Sequence, residues 1–470
     1  MDKKQDSKLT IRTAFLNTIA NGISLVIGMI MIPIISRVMT PGELGLASTF
    51  ISTRNTFVIV ATCAVYAYIH KAMLEFKENK KDYISSIALF CMCALVIVFL
   101  ICFPVKEQIK KLFTLDDFLF YWLFISSFAF ALYSIGNYYC IFHNKSVMVF
   151  LIVLLTGPVA QFISLGLAYA LPGKRYIGRV LGLDFSYFLV TVCVIIWLFC
   201  CRGKTVRLKY VNHTLRFTLP IIPHLLSQMV LTQCDLIMIS YFAGEDKTGI
   251  YSMAHTIGFL AFTVMSQVMA AWSPWVYRRL EEKETEPIYQ NAKVMMLLGS
   301  YISIGLMTVG TELIKIFLTE QYLPCIYIVP PLVLAMFFQF IYLFFYDLEY
   351  FYKKAKWIAT ASVAAALLNI VLNMILIPRA GYIAASYTTV ASYMLLVILN
   401  YIFCRKLGVS HIYNIRIVIG ITIFLVLYMS FILVSVDWVL VRYAVLVLIT
   451  IVLLAMEMKE LKNIIKFIKG

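Results

Sequence analysis

Three charged residues stand where charges are rarely tolerated. Arg54, Asp184 and Asp235 each fall inside a long apolar run, and none has an opposite charge three or four residues away along its own segment. Inserting an ionised side chain at the centre of a membrane helix costs about 3 kcal/mol, so such residues are functional candidates by default. Two arrangements suit this trio. In one, Arg54 closes a salt bridge to Asp235 or Asp184 and locks helices together. In the other, Arg54 lines a cationic cavity, with Arg37 and Arg179 nearer the outer mouth. A guanidinium suits a pyrophosphate because its planar fork donates paired hydrogen bonds and keeps its charge. Asp184 and Asp235 would then be sites of H⁺ or Na⁺ coupling, or counter-charges to the arginines.

The remaining acids within apolar runs have neighbours that could neutralise them. Glu312 and Lys315 are three apart, and Glu349 and Lys353 are four apart with Asp347 close by. On a helix such spacings bring side chains together, so structural ion pairs are expected there.

These residues need a scaffold that crosses a bilayer many times, and the composition supplies one. The 470-residue chain is 62% hydrophobic yet carries a formal charge of +16. A hydrocarbon core of about 30 Å takes roughly 20 apolar residues of helix. Backbone groups in lipid must be satisfied within the segment, which makes each crossing an α-helix. Fourteen runs qualify, from about 13–35 through 438–456, and the short alternating segments of a β-barrel are absent. The fold class is therefore all-α and polytopic. Arg54 lies ten residues into the second run, about 15 Å deep at roughly 1.5 Å per residue, near mid-membrane.

The basic residues set the orientation. With the N-terminus inside, 28 of the 40 Lys and Arg fall in inner gaps and ten in outer ones, so both termini are cytoplasmic. Lys71, Lys77, Lys80, Lys81 and Lys145 are among the inner set. These charges sit on short loops beside anionic lipid headgroups rather than on a compact basic domain, which excludes nucleic acid as a partner. The opening MDKKQDSKLT is too charged for a secretory signal, so the first span itself is expected to direct insertion.

Catalytic and metal signatures are missing. The sequence has no G-x-x-x-x-G-K-[ST] loop, no H-E-x-x-H and no G-x-S-x-G. Its six histidines are scattered. The eleven cysteines lie mostly inside apolar runs with no C-x-x-C, as small buried hydrophobes do. The expectation is a non-enzyme with no catalytic residues, no metal and no cofactor.

A weak internal repeat organises the chain. Residues 35–51 align without gaps on 239–255, matching Ile35/Ile239, Ser36/Ser240, Gly45/Gly249 and Ser48/Ser252. Each piece is an outer hairpin opening a set of six spans. This predicts two parallel six-helix lobes, 1–206 and 207–406, with substrate at their interface, followed by two additional helices and a basic cytoplasmic tail over 407–470. Pro220 and Pro223 should bend the seventh span, and Pro158 and the pair Pro330–Pro331 should bend theirs.

The motifs resemble those of a known family. R-V-M-T-P-G-E-L-G, with Arg37, Pro41, Glu43 and Gly45, is similar to the opening of Wzx-type polysaccharide and O-antigen flippases. These belong to the superfamily that also holds MATE drug exporters and lipid II flippases. L-P-I-I-P ending at Pro223, D-L-I-M-I-S from Asp235 and G-I-Y-S from Gly249 extend the resemblance. So does the late stretch with Asn369, Asn373, Pro378 and Gly381, and the likeness covers about residues 9–405. The chain departs from the family's usual residues at Leu44, Leu236 and Ala384.

The resemblance implies translocation of an undecaprenyl-pyrophosphate-linked oligosaccharide from the inner to the outer leaflet by alternating access. The product would feed O-antigen, capsule or exopolysaccharide synthesis. It implies a multi-pass protein of the bacterial cytoplasmic membrane, coupled to an H⁺ or Na⁺ gradient. A polysaccharide polymerase and a chain-length regulator would be its partners, beside membrane lipids. The alternatives are a MATE-like exporter of organic cations, which a cationic cavity would oppose, and a lipid II flippase. A polytopic glycan polymerase is the alternative of a different class.

Overall fold

Thr40, Pro41 and Glu43 start the second membrane helix in a capping box. The Thr40 side chain accepts from the Glu43 amide, and Glu43 Oε2 accepts from the Thr40 amide at 3.1 Å. Pro41 occupies the first helical turn, where its missing N–H is no loss. The T-P-G-E motif is thus a sharp helix start directly after the first span.

The computed structural model describes residues 3–201 and 206–452. The predicted tail lysines Lys459, Lys462, Lys466 and Lys469, together with Arg202 and Lys204, lie outside the described residues. Among the described residues every regular element is helical. Thirteen helices are long and apolar enough to span a membrane. They are α1 (Leu16–Val38), α2 (Pro41–Ala61), α3 (Lys80–Phe113), α4 (Asp117–Phe142), α5 (Ser146–Ala170), α6 (Arg175–Leu198) and α7 (Leu208–Ala243). There follow α8 (Glu245–Glu281), α9 (Glu286–Phe317), α10 (Val329–Phe351), α11 (Ala355–Ala380), α12 (Ala384–Lys406) and α13 (Ile415–Val434). The fourteenth predicted span is described as a shorter apolar helix, Val439–Val452.

Proline acts at two of the three predicted places. Pro220 sits in a 3₁₀ turn, Leu219–Ile221, that interrupts α7, and Pro158 sits in a π-helical turn, Leu155–Val159, within α5. Pro330 and Pro331 do not bend a helix. They lie in the first turn of α10, where proline fits without disruption.

The chain forms two compact units, Met1–Gly249 and Ile250–Gly470. In the first, α2 packs against α4, α6 and α7, and α5 packs against α6 and α1. The opening span of the second predicted lobe therefore belongs to this unit. Between helices in lipid no hydrophobic drive exists, so close approach at small residues carries the packing. Gly178 and Gly182, four apart on α6, leave no room for a Cβ against the backbone of Leu167 and Ser164 on α5.

In the second unit α10 is almost wholly buried and packs on α12, α9 and α13. Asp347 accepts from Ser273 Oγ at 2.7 Å and Tyr277 Oη at 2.9 Å. Asn373 donates to Asn369 at 3.1 Å and accepts from Thr388 at 2.5 Å, a polar seam joining α11 to α12.

Two expected ion pairs are not formed. Glu312 takes both guanidinium nitrogens of the fully buried Arg442, while Lys315 turns to Asp437 at 3.1 Å. The bidentate fork from another helix wins over the neighbour on the same one. Lys353 lies past the end of α10 at φ 58°, where helical i,i+4 spacing no longer applies. Glu349 is fully buried, and neither of its carboxylate oxygens has a hydrogen-bond partner among the described residues.

Candidate functional site

The close approach of α5 and α6 positions the first arginine. With Gly178 and Gly182 against α5, Arg179 lies alongside Gln161 and Ser164, and its Nη1 donates to Gln161 Oε1 at 2.8 Å and Ser164 Oγ at 2.6 Å. One helical turn and a half further on, Asp184 faces α2 and α4. Trp122 Nε1 of α4 donates to Asp184 Oδ2 at 2.8 Å.

Arg54 of α2 meets the other oxygen, its Nη1 pairing with Asp184 Oδ1. The two side chains are 3% and 1% exposed as residues, so this is a buried pair. Nη2 donates to Asn55 Oδ1 at 3.1 Å. The guanidinium lies 5.5 Å from the Phe130 ring centre and 5.2 Å from that of Tyr187. Cation–π contacts of this kind gain strength away from water. Nε is buried and makes no hydrogen bond among the described residues. A guanidinium has five donors, so the pair with Asp184 does not exhaust it.

Arg54 borders a cavity of about 340 Å³, with Asn55, Phe130, Thr156, Gln161 and Tyr187 also in its lining. Beside it, Ser52 Oγ donates to Gln233 Oε1 of α7 at 2.8 Å. The cavity has a mixed lining, with Ile51, Ile59, Leu183 and Met229 beside the polar groups, and it lies mid-span within the first unit.

The predicted site residues separate accordingly. Arg54 and Asp184 come together, and Arg179 reaches the same cavity through Gln161. Arg37 is exposed at the end of α1, and Asp235 is buried on α7. Arg54 takes Asp184, rather than Asp235, as its carboxylate. Sequence reasoning missed Trp122, Asn55, Gln161 and the aromatic pair. Asn55 and Gln161 left a signal, since amides inside spans also need partners. The aromatics left none, because they read as ordinary packing.

The sequence model of the polysaccharide biosynthesis protein family matches residues 11–280, more than half of the chain. The chain belongs to that family. The matched stretch of this polysaccharide biosynthesis family member holds the capping box, the Arg54 cavity and α7. The MatE family model matches residues 220–375. A comparison with curated protein sequences finds no match.

Among solved structures, lipid II flippase MurJ in an inward closed conformation is similar at a TM-score of 0.72 and 15% identity, covering 95% of this chain and 99% of that one. An inward-facing multidrug resistance MATE family transporter of the MOP superfamily is similar at 0.63 and 12% identity, covering 86% and 98%. The Vibrio cholerae MATE transporter VcmN follows at 0.51 and 10%, covering 86% and 99%. The fold of this family member is that of MOP-superfamily transporters.

Proposed function

We propose that this protein flips an undecaprenyl-pyrophosphate-linked oligosaccharide repeat unit from the inner to the outer leaflet of the bacterial cytoplasmic membrane. Family membership supports a polysaccharide pathway, and the fold supports transport. The observation that carries the reading is a buried arginine, with an unused Nε donor, at the wall of a mid-span cavity of mixed lining. In this proposal Arg54 and Arg179 meet the pyrophosphate, and Arg37 attracts it at the outer mouth. Asp184 is the counter-charge that holds Arg54 in the cavity wall, and Asp235 is the candidate for H⁺ or Na⁺ coupling. The sugar occupies polar space while the isoprenoid tail stays in lipid. Two lobes, 1–206 and 207–406, alternate access about the site, with 407–470 appended. The product is O-antigen, capsule or exopolysaccharide, assembled with a polymerase and a chain-length regulator.

The test is reconstitution in liposomes with a fluorescent polyprenyl-pyrophosphate oligosaccharide and a membrane-impermeant quencher. Wild type should expose the label to the outside, and Arg54→Ala should not, at equal folded content. Transport of organic cations in place of the lipid-linked sugar would overturn the reading in favour of a drug exporter. Equal flipping of lipid II alone would overturn it in favour of peptidoglycan precursor export.

A further inference from the structure

A second cavity lies in the first unit, apart from the Arg54 site. It is a cleft of about 390 Å³ among α4, α5 and α6, walled by Ile135, Met148, Leu151, Leu189, Val194 and Trp197. It shares no lining residue with the Arg54 cavity. Consecutive residues of α5 part the two, since Leu155 lines the cleft and Thr156 lines the Arg54 cavity. Met148, Leu151 and Leu189 are exposed on the lipid-facing surface, so the cleft opens sideways.

Its one charged lining residue is Lys145, in the turn between α4 and α5 that the basic-residue pattern places at the cytoplasmic face. Around it stands a cationic and aromatic cluster. The Lys145 ammonium lies 5.4 Å from the Tyr139 ring, and that of Lys80 on α3 lies 5.1 Å from the Phe142 ring. Tyr139 packs on Trp197 at 4.9 Å and on His143 at 4.1 Å. Burial holds His143 below its ordinary range, and the charges of Lys80 and Lys145 act in the same direction. Neither lysine forms an ion pair among the described residues.

In a bilayer an apolar slot alone discriminates little, because lipid tails are as apolar as leucine. Selectivity must come from the charged end, and basic pockets between membrane helices at the cytoplasmic face suit anionic headgroups. Tyr and Trp at that level match the depth of the headgroup region.

We propose that this cleft holds one anionic phospholipid of the inner leaflet, its phosphate on Lys80 and Lys145 and an acyl chain along the slot. The lipid is a resident of the fold, not the cargo, because the cleft is separate from the Arg54 cavity.

Native mass spectrometry of the purified full-length chain tests this with phosphatidylglycerol and phosphatidylcholine of matched chains. The expected result is one preferentially retained phosphatidylglycerol. At about a factor of five per lysine, Lys80→Gln with Lys145→Gln should weaken retention roughly 25-fold. Leu151→Trp, which fills the slot from its rim, should weaken it as well, while Lys353→Gln with Lys354→Gln should not. Equal retention of phosphatidylcholine, or an unaffected lysine double variant, would overturn the proposal. Displacement of phosphatidylglycerol by a polyprenyl phosphate would overturn it too, by giving the cleft to the cargo.

Discussion

Gly45 and Gly249 lie backbone to backbone within the first unit, and they are equivalent positions of the internal repeat. A methyl group on Gly45 would sit 2.9 Å from the Gly249 amide nitrogen and closer still to the Glu245 carbonyl. One on Gly249 would run into the backbone of Pro41. Pro41 and Glu245 are themselves repeat equivalents, so the contact is reciprocal. The backbone around Pro41–Gly45 and Glu245–Gly249 meets here at a distance that only glycine permits.

The two glycines should therefore resist even alanine. Overpacking costs typically about 1–3 kcal/mol, which outweighs the gain of up to about 1 kcal/mol from replacing glycine in a helix. Gly45→Ala and Gly249→Ala should lower the melting temperature of the purified protein. Gly22→Ala, on the exposed side of α1 with nothing within 4 Å, should leave it unchanged or raise it. A neutral Gly45→Ala would remove the close-contact argument.

Arg54 and Asp184 can be separated from their structural role by a paired change. Asp184→Asn alone leaves a buried guanidinium without its counter-charge, a loss of about 3–5 kcal/mol, so folded yield should fall. Arg54→Met with Asp184→Leu removes both charges and should restore yield. If Arg54 meets the substrate, the double variant stays well folded and flips roughly ten- to hundred-fold more slowly, the scale set by losing a hydrogen bond to a charged group. Full activity in the double variant would reduce the pair to a helix clamp.

Much of the fold was legible because lipid leaves the chain few choices. The spans and their helical state follow from apolar length. The capping box has a local signature in Thr40-Pro41-x-Glu43, which by sequence read only as part of a family motif. Pairing between helices was not legible. Glu312 has Lys315 beside it in sequence, yet it bonds Arg442, 130 residues away. Arg442 lies only four residues into the last apolar run, so by sequence it reads as one of the outer charges. For the site, Arg54 and Asp184 stood out as charges without local partners. Trp122 and Tyr187 did not, since an aromatic ring inside a span looks the same whether it packs on lipid, on a helix or on a guanidinium.

The Arg442 pair makes a sharper stability prediction than its position near the chain's end suggests. Arg442 is fully buried and also donates to the carbonyls of Thr308 at 3.4 Å and Val436 at 3.2 Å, so it ties the Val439–Val452 helix to α9. Arg442→Met should cost about 3 kcal/mol by leaving Glu312 unpaired, read as a loss of thermal stability. Adding Glu312→Gln should recover part of it. Lys315→Met should have a small effect, since its pair with Asp437 is exposed and such pairs contribute about 0–1 kcal/mol.

Beyond the end of α2 the short helix Ile69–Glu75 supplies a pH-dependent contact. Glu75 Oε2 accepts from Tyr68 Oη at 2.6 Å and lies 2.8 Å from His213 Nε2, with Lys71 within 3.8 Å. The Tyr68 hydrogen bond, followed by His213 and Lys71, holds the Glu75 carboxyl below the usual carboxylate range. A carboxyl whose folded pKa is depressed adds stability at pH above its unfolded value, near 4.3, and loses it as pH falls through the lower folded value. The contribution is small, because Glu75 is exposed. Melting temperatures of wild type and Glu75→Gln should therefore differ most above about pH 5 and converge on acidification. A constant difference across that range would assign the contact to packing alone.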